Sequence, residues 1–203
     1  MTMLIDNPRL EEELKAQRKA WGSDHHDEVW EGVYFMAPLP NDEHQKIVSR
    51  LTFILEATID VAQLGEVRPG ANLAGSDDWE HDYRAPDVVV FLASGSAENR
   101  DTHWRGAADF VIEITSPGDR SYEKLPFYSR LGVREVLIVN RQPWALDLFR
   151  QQAGGLQPAG QSEPQRSDVL TSGVLPLRFR LLPGQPRPQI EVTHTESGQR
   201  WVV

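Results

Sequence analysis

"DFVIEITSPGDR", residues 109–120, places a carboxylate inside a stretch that otherwise has the composition of a buried strand. Successive side chains of a strand point to opposite faces, so Glu113 and Thr115 share one face while Ile112 and Ile114 fill the other. An unpaired ionised carboxylate inside a core costs several kcal/mol. Glu113 is therefore expected to be neutral, paired with a cation, or directed into a polar cavity, and its face of the strand is predicted to line a site.

A second carboxylate occupies a similar position in "RAPDVVVFLA", residues 84–93. Asp87 begins an apolar strand, and Pro86 stiffens the chain that leads into it. If this strand neighbours the one over 109–115, Asp87 and Glu113 converge, and two carboxylates with open positions for water suit magnesium. The plain alternatives stay open: Asp87 as a turn or capping residue, and Glu113 as half of a salt bridge.

A lysine follows these two carboxylates in "SYEKLPFYSRLG", residues 121–132, which predicts a helix that Pro126 kinks or restarts. On that helix Lys124 and Tyr128 share a face. A lysine beside two carboxylates is held charged by them, and would orient a water or stabilise developing phosphorane charge. A solvated surface lysine is the alternative.

The remaining pattern predicts one mixed α/β sheet flanked by helices, rather than two domains. The predicted elements include a charged helix over 8–21, a strand over 29–38, a helix over 41–65 capped by Asn41 or Asp42, strands in "REVLIVN", "WALDLFRQQ" and "VLPLRFRLLP", and a surface loop or hairpin tip over 151–166. The chain is divided into an N-terminal helical extension (1–27), the main domain (28–182) and a Pro-rich C-terminal tail (183–203). That tail is predicted either to be mobile or to add a strand.

Composition excludes several classes of protein. The 203 residues contain no cysteine, which excludes a disulfide framework and thiolate metal sites and fits a cytoplasmic location. No apolar run approaches the ~20 residues of a membrane helix, so no membrane partner is expected. The net charge of −9 argues against non-specific nucleic-acid binding. DNA could still dock if Arg84, Arg120, Lys124 and Arg130 cluster around a cleft.

Four motifs together resemble a known family. "EGVYFMAPLPNDEHQKIVSRL", "RAPDVVVF", "DFVIEITSPGDR" and "YEKLPFYSRLGVREVLIVN", with "DVLTSGVLPLRFRLL" after them, are similar to the Uma-two family of endonucleases, once a domain of unknown function. That family belongs to the restriction-endonuclease-like superfamily of PD-(D/E)xK nucleases. The resemblance covers roughly residues 28–182 and implies a restriction-endonuclease-like core with a central mixed sheet.

The resemblance also implies roles for the acidic pair and the lysine. Asp87 and Glu113 would be ligands of a divalent ion, Mg²⁺ or Mn²⁺. The superfamily lysine stands two residues after the second acid, where this chain has Thr115. Lys124 would take over the role of that lysine from the following helix.

Further residues follow from the resemblance and their neighbours. The acid of the first superfamily helix corresponds to Glu43, and His44 beside it would lie at the rim of the cleft. Arg84 would contact phosphate, or else pair with Asp82 or Glu80. The expected substrate-binding residues are Arg84, His44, Thr115 and Tyr128.

Three functions are open on this reading. The first is a magnesium-dependent endonuclease that hydrolyses phosphodiester bonds in DNA and acts as a homodimer to reach both strands. The second is a binding module for nucleic acid or protein that keeps the fold without turnover, which the net charge and Thr115 favour. The third, a hydrolase of smaller phosphate esters, would be indicated by a cleft too narrow for a duplex.

Overall fold

The computed structural model describes residues 8–37, 39–116, 118 and 120–203. Within these ranges the α-helices are α1 (Pro8–Ala20), α2 (Asp42–Leu55) and α3 (Leu125–Leu131), with shorter helical turns at Glu56–Asp60, Trp79–His81 and Ser121–Lys124. The strands are β1 (Glu28–Trp30), β2 (Val33–Phe35), β3 (Gly65–Pro69), β4 (Leu73–Ala74), β5 (Tyr83–Arg84), β6 (Val88–Leu92), β7 (Glu98–Asn99), β8 (Trp104–Arg105), β9 (Phe110–Ile114), β10 (Glu135–Arg141), β11 (Trp144–Gln152), β12 (Gly155–Ser162), β13 (Leu170–Thr171), β14 (Leu177–Leu182), β15 (Gln189–His194) and β16 (Arg200–Val202).

The central sheet has the strand order β12-β11-β10-β9-β6-β3. Strands β9 and β10 run parallel, and the other neighbouring pairs of this sheet are antiparallel. Helix α3 lies in the connection between the two parallel strands, as a parallel pair requires. The predicted mixed α/β architecture with a helical crossover is therefore confirmed, whereas the described residues form three sheets rather than one.

Strand β9 separates two apolar clusters. Phe110, Ile112 and Ile114 pack into a cluster that includes the buried face of α2, whereas Val111 belongs to the cluster on the α3 side. Glu113 alternates with Ile112 and Ile114, so its side chain leaves on the α3 side.

Two smaller sheets flank the central one. One has the order β2-β1-β5-β4-β8-β7, and the other has the order β13-β14-β15-β16. For the segment after residue 183, the added-strand alternative is the one observed: β15 pairs with β14, and β16 pairs with β15. The division into regions 1–27, 28–182 and 183–203 stays a prediction.

Helix α2 begins as predicted and ends earlier. The Asn41 side chain caps it by accepting a hydrogen bond from the His44 N–H at 2.9 Å. The α-helix stops at Leu55, and the chain continues as a wider turn in which the Thr58 hydroxyl donates to the Ile54 carbonyl at 2.8 Å. Such bonding of a hydroxyl to a preceding carbonyl competes with regular helix geometry.

Two segments differ in detail from the sequence prediction. The single strand predicted over 29–38 is wrong, because Glu31 and Gly32 adopt positive φ angles of 51° and 86° and fold β1 and β2 into a hairpin. The loop predicted over 151–166 holds only for the hairpin tip, since β12 pairs with β11. Pro126 acts as expected: a helical turn ends at Lys124, and α3 starts afresh beside the proline.

Candidate active site

Asp87 and Glu113 lie on neighbouring antiparallel strands. The register of β6 and β9 pairs Val88 with Ile112, so the residue before Val88 is placed opposite the residue after Ile112. The Ile114 N–H donates to Asp87 Oδ2 at 2.7 Å and fixes that carboxylate. Glu113 is buried, and both side chains line one cleft. The structure therefore brings the two predicted carboxylates to one wall.

Lys124 reaches the same wall from the turn that precedes α3. Its Nζ lies 3.0 Å from both carboxylate oxygens of Glu113 and 2.9 Å from Oε1 of Glu28. Its side chain is only 13% exposed, so this ammonium group is largely shielded from solvent. One cation is thus held between two buried carboxylates.

Glu28 is the residue of this cluster that sequence reasoning missed. It begins β1, lines the cleft and accepts hydrogen bonds from the Ala85 N–H at 2.8 Å and from Trp30 Nε1 at 2.6 Å. The sequence signal is weak, because "DHHDEVW" has the composition of a polar loop. Glu28 and Trp30 stand two apart in a strand, and this spacing is what places them on one face.

Tyr128 of α3 contacts the carboxylate of Glu113. It is fully buried, and its hydroxyl donates to Glu113 Oε1. Burial and the adjacent carboxylates raise the pKa of Tyr128 well above its usual value, so the phenol stays protonated and remains a donor.

The charges at this wall do not balance. Burial raises the pKa of Glu113 to about 8, since Lys124 offsets this only in part and the charges of Asp87 and Glu28 add to it. Burial alone would lower the pKa of Lys124, but Glu113 and Glu28 outweigh it and raise that pKa. One ammonium group therefore faces three carboxylates, and the cost of a buried negative charge appears as the raised pKa of Glu113.

His44 extends the cluster toward α2. Its Nε2 lies 3.2 Å from Asp87 Oδ1, and its side chain is largely buried at the first turn of the helix. The Asn41 cap fixes the backbone at this turn, so the first turn of α2 positions the imidazole ring of His44 next to Asp87.

The carboxylates lie in a cleft of about 950 Å³. Its walls are formed by β1 and the loop after β2, by one face of α2, and by the segment that follows β9. The lining includes Glu28, Trp30, Phe35, Met36, Leu39, His44, Val48, Phe53, Asp87, Glu113, Ser116, Arg120 and Lys124. Among the residues that the structure describes, no group of three or more histidine and acidic side chains is arranged to hold a metal ion.

Comparisons with known proteins show the family and the fold of the chain. A family model named Uma2 and described as "Putative restriction endonuclease" matches residues 12–182. The chain belongs to the Uma2 family. A solved structure titled as a "putative nuclease belonging to DUF820" from Anabaena variabilis is similar, with a TM-score of 0.60, 16% identity, and coverage of 72% of this chain and 80% of that one. Comparison with curated proteins gives no match.

The structural likeness shows that this Uma2 family member has the restriction-endonuclease-like fold that the sequence predicted. No helix in the described ranges is long and apolar enough to cross a membrane.

Glu43 is not brought to the cleft in this Uma2 chain. Its carboxylate lies 3.2 Å from Nη1 of Arg141 and 3.1 Å from Nε of Arg187, and it is absent from the cleft lining. Glu43 precedes His44 on α2, so the two side chains point in different directions around the helix. The side chain from this turn that reaches Asp87 is His44 rather than Glu43.

Arg84 forms the ion pair that the sequence left open, rather than a contact at the cleft. Its Nη1 donates to Asp82 Oδ1 and to the Val29 carbonyl, both at 2.9 Å, and its guanidinium lies 4.2 Å from the centre of the Phe127 ring. Only 3% of the residue is exposed, because it is packed between helix α3 and the sheet that contains β1 and β5. In this position it is not among the described residues that line the cleft.

Thr115 also lies outside the cleft lining, although it follows Glu113 on the same strand face. Its hydroxyl donates to Asn140 Oδ1 at 3.1 Å, and its carbonyl accepts from Arg141 Nε at 2.6 Å. Thr115 thus joins the ends of β9 and β10, where the superfamily pattern has a lysine.

Proposed function

We propose that this Uma2 protein is a metal-dependent endonuclease that hydrolyses phosphodiester bonds in DNA. The observation that carries the proposal is the contact of Lys124 with both oxygens of Glu113, at a wall that also holds Asp87. Two carboxylates and one lysine on adjacent elements are the residues that the family resemblance assigns to phosphodiester hydrolysis. Membership of a family described as restriction endonucleases supports the same reaction class.

The donor set fits a divalent ion. Asp87 and Glu113 would hold it, and a cation would offset the cost of the buried negative charge, because burial first and the neighbouring carboxylates second raise the pKa of Glu113. A site with few protein carboxylates and room for water suits Mg²⁺, and Mn²⁺ would use the same oxygens. When bound, such an ion lowers the pKa of a coordinated water and offsets the charge of the phosphate.

The chain's own residues supply the remaining functions. The Ile114 N–H and the Tyr128 hydroxyl hold the two carboxylates in place. Lys124 stays protonated between Glu113 and Glu28, and its ammonium group is placed to stabilise negative charge that develops on a phosphate in the cleft.

A plasmid-nicking assay with Mg²⁺ or Mn²⁺ tests this function. We expect Asp87→Asn, Glu113→Gln and Lys124→Met each to reduce cleavage by about 100-fold or more, the effect typical of losing a group that stabilises the transition state. Glu163→Gln is the matched control, because Glu163 pairs with Arg166 at the surface and is not among the described residues that line the cleft. Equal residual cleavage in all variants would indicate a contaminating nuclease.

The second candidate is a binding module without turnover. It is favoured by one observation: the oxygens of Asp87 and Glu113 accept hydrogen bonds from Ile114, Lys124 and Tyr128, so these carboxylates have partners within the protein. If calorimetry with Mg²⁺ and Mn²⁺ shows no binding and no cleavage is found, this second function replaces the first.

A further inference from the structure

The cleft has apolar as well as charged lining residues. Trp30, Phe35 and Met36 line it from the β1–β2 hairpin and the loop after it, and Leu39 and Phe53 also line it. Leu39 is 85% exposed and Phe53 is 57% exposed, although Phe53 belongs to a helix whose other large apolar side chains are mostly buried. Exposed apolar side chains in a cleft that also holds polar groups indicate a bound partner with an apolar face.

The charged groups at the wall that holds Asp87 and Glu113 are less exposed than Leu39 and Phe53. Glu113 is 2% exposed, and the side chains of Lys124 and Asp87 are 13% and 19% exposed. A phosphodiester must therefore enter the cleft to meet them, because these side chains do not stand on the molecular surface. A flexible single strand can lead a phosphate into the cleft, whereas a duplex would have to bring both of its paired strands to the opening.

The cleft also offers few cations for a duplex. Its described lining contains two lysine or arginine side chains, Lys124 and Arg120. Lys124 is paired with Glu113 and Glu28, while Arg120 is paired with Glu123 and lies 4.8 Å from the centre of the Phe35 ring. Arg130, which the sequence suggested as a further contact, pairs with Glu31 at 3.2 Å and is not part of that lining. Duplex binding depends on many phosphate contacts, so this cleft is poorly suited to it.

We infer that the cleft binds single-stranded DNA, with a base against Phe53 and a phosphate of the same strand directed to the Asp87–Glu113 wall. The placement of the phosphate rests on the proposed function. An aromatic side chain accepts the face of any base, and this stacking contributes to single-strand binding beside the contacts to the phosphates. The juxtaposition of exposed apolar side chains and buried carboxylates matches a nucleotide, which has an apolar face joined to an anionic group.

Binding by fluorescence anisotropy tests the inference without requiring cleavage. The probes are a labelled mixed-sequence single strand and the same strand annealed to its complement, measured in calcium chloride so that a divalent ion is present. We expect the single strand to bind about tenfold more tightly than the duplex, and Phe53→Ser to weaken single-strand binding by about tenfold. Phe53→Trp should retain the affinity, because it restores an aromatic face at the same position.

Val61→Ser is the matched control, since Val61 is 79% exposed and is not among the described residues that line the cleft. Equal affinity for strand and duplex, or an unchanged affinity in Phe53→Ser, would overturn the inference. So would competition by thymidine monophosphate as effective as that of the strand, which would indicate a small phosphate ester as substrate. Plasmid nicking without a preference for single strands would leave the proposed function standing and remove this inference alone, whereas Phe53-dependent strand binding without cleavage would do the reverse.

Discussion

A single ammonium group organises the charged wall of the cleft. Lys124 contacts Glu113 from one side and Glu28 from the other, and Glu28 is itself fixed by the Ala85 N–H and by Trp30. Glu28 therefore positions Lys124 without being on the strand that carries Glu113. The sequence predicted the proximity of Asp87, Glu113 and Lys124 because their motifs lie in a 38-residue stretch, 87–124.

Other residues of the site could not be placed from the sequence, because their contacts are distant along the chain. Glu28 reaches the site only because β1 pairs with β5, with Val29 opposite Tyr83. Glu43 lies outside the cleft lining and pairs with Arg141, which is 98 positions away in the sequence. Neither hydrophobic periodicity nor local spacing carries information on such pairings.

Glu28→Gln tests the positioning role. Glutamine keeps an acceptor for the Ala85 N–H but removes one of the two charges that hold Lys124. We expect cleavage to fall by about tenfold through kcat, with little change in KM, since the ammonium group would be less well placed for developing charge. Glu31→Gln is the control, because the Glu31 side chain is exposed in the adjacent turn. A similar fall in kcat in Glu31→Gln, or no fall in Glu28→Gln, would contradict the positioning role of Glu28.

The pH dependence of stability should reveal the raised pKa of Glu113. A carboxyl whose pKa is raised on folding stabilises the protein fully below its unfolded pKa, and this contribution is lost as the pH rises through the folded pKa. For Glu113 that interval runs from about 4.5 to about 8. We expect the metal-free wild type to lose unfolding free energy relative to Glu113→Gln across this interval, as measured by urea denaturation at several pH values. A difference that stays constant with pH would contradict the raised pKa.

Helix α1 is joined to the residue that precedes β1 by an ion pair between the partly exposed Arg18 and the buried Asp27. Arg18 donates to Asp27 Oδ2 at 2.5 Å through Nε and to Oδ1 at 2.6 Å through Nη2, and Nη2 also reaches the Ala37 carbonyl at 3.0 Å. Asp27 is nearly inaccessible, and the hydroxyl of Tyr34 and the N–H of Ala37 complete its bonds. Because Ala37 lines the cleft, the charged helix fixes part of the cleft wall. The sequence predicted α1 from its pattern but gave no sign of this contact.

Arg18→Met should therefore destabilise the protein strongly. It leaves Asp27 buried without its cation, and breaking a buried pair in this way costs about 3–5 kcal/mol. Lys19→Met removes a neighbouring exposed charge on the same helix and should change stability by less than about 0.5 kcal/mol. The free energy of unfolding from urea titrations measures both, and similar values for the two variants would show that the ion pair contributes little.

At the scale of the whole molecule, the chain after residue 183 completes the main core. Ile190 and Val192 of β15 are fully buried in the cluster shared with α2 and β9, and Arg187 lies 3.1 Å from Glu43 at the start of α2. The Pro-rich composition predicted a surface tail or an added strand, and it could not decide between them. That choice depends on the partner strand β14 and on an apolar face that the rest of the fold supplies. A homodimer stays a prediction.

Ile190→Ala is the test of this packing. Removing buried methyl and methylene groups from a closed core costs about 2–5 kcal/mol, so we expect a loss of that size in the free energy of unfolding. Val202→Ala, on the neighbouring strand but 54% exposed, should cost less than about 0.5 kcal/mol. If the two variants unfold at the same urea concentration, the segment after residue 183 would not be a cooperative part of the fold.

The alternation of β9 has a consequence for how this gene would tolerate variation. Ile112 and Ile114 face the larger core, while Glu113 between them faces the lysine. Changes at Phe110, Val111, Ile112 or Ile114 would lower the amount of folded protein in a cell, because all four side chains lie in apolar clusters. A neutral substitute at 113 would leave abundance intact and remove the proposed activity, so one position of this strand would separate loss of activity from loss of protein.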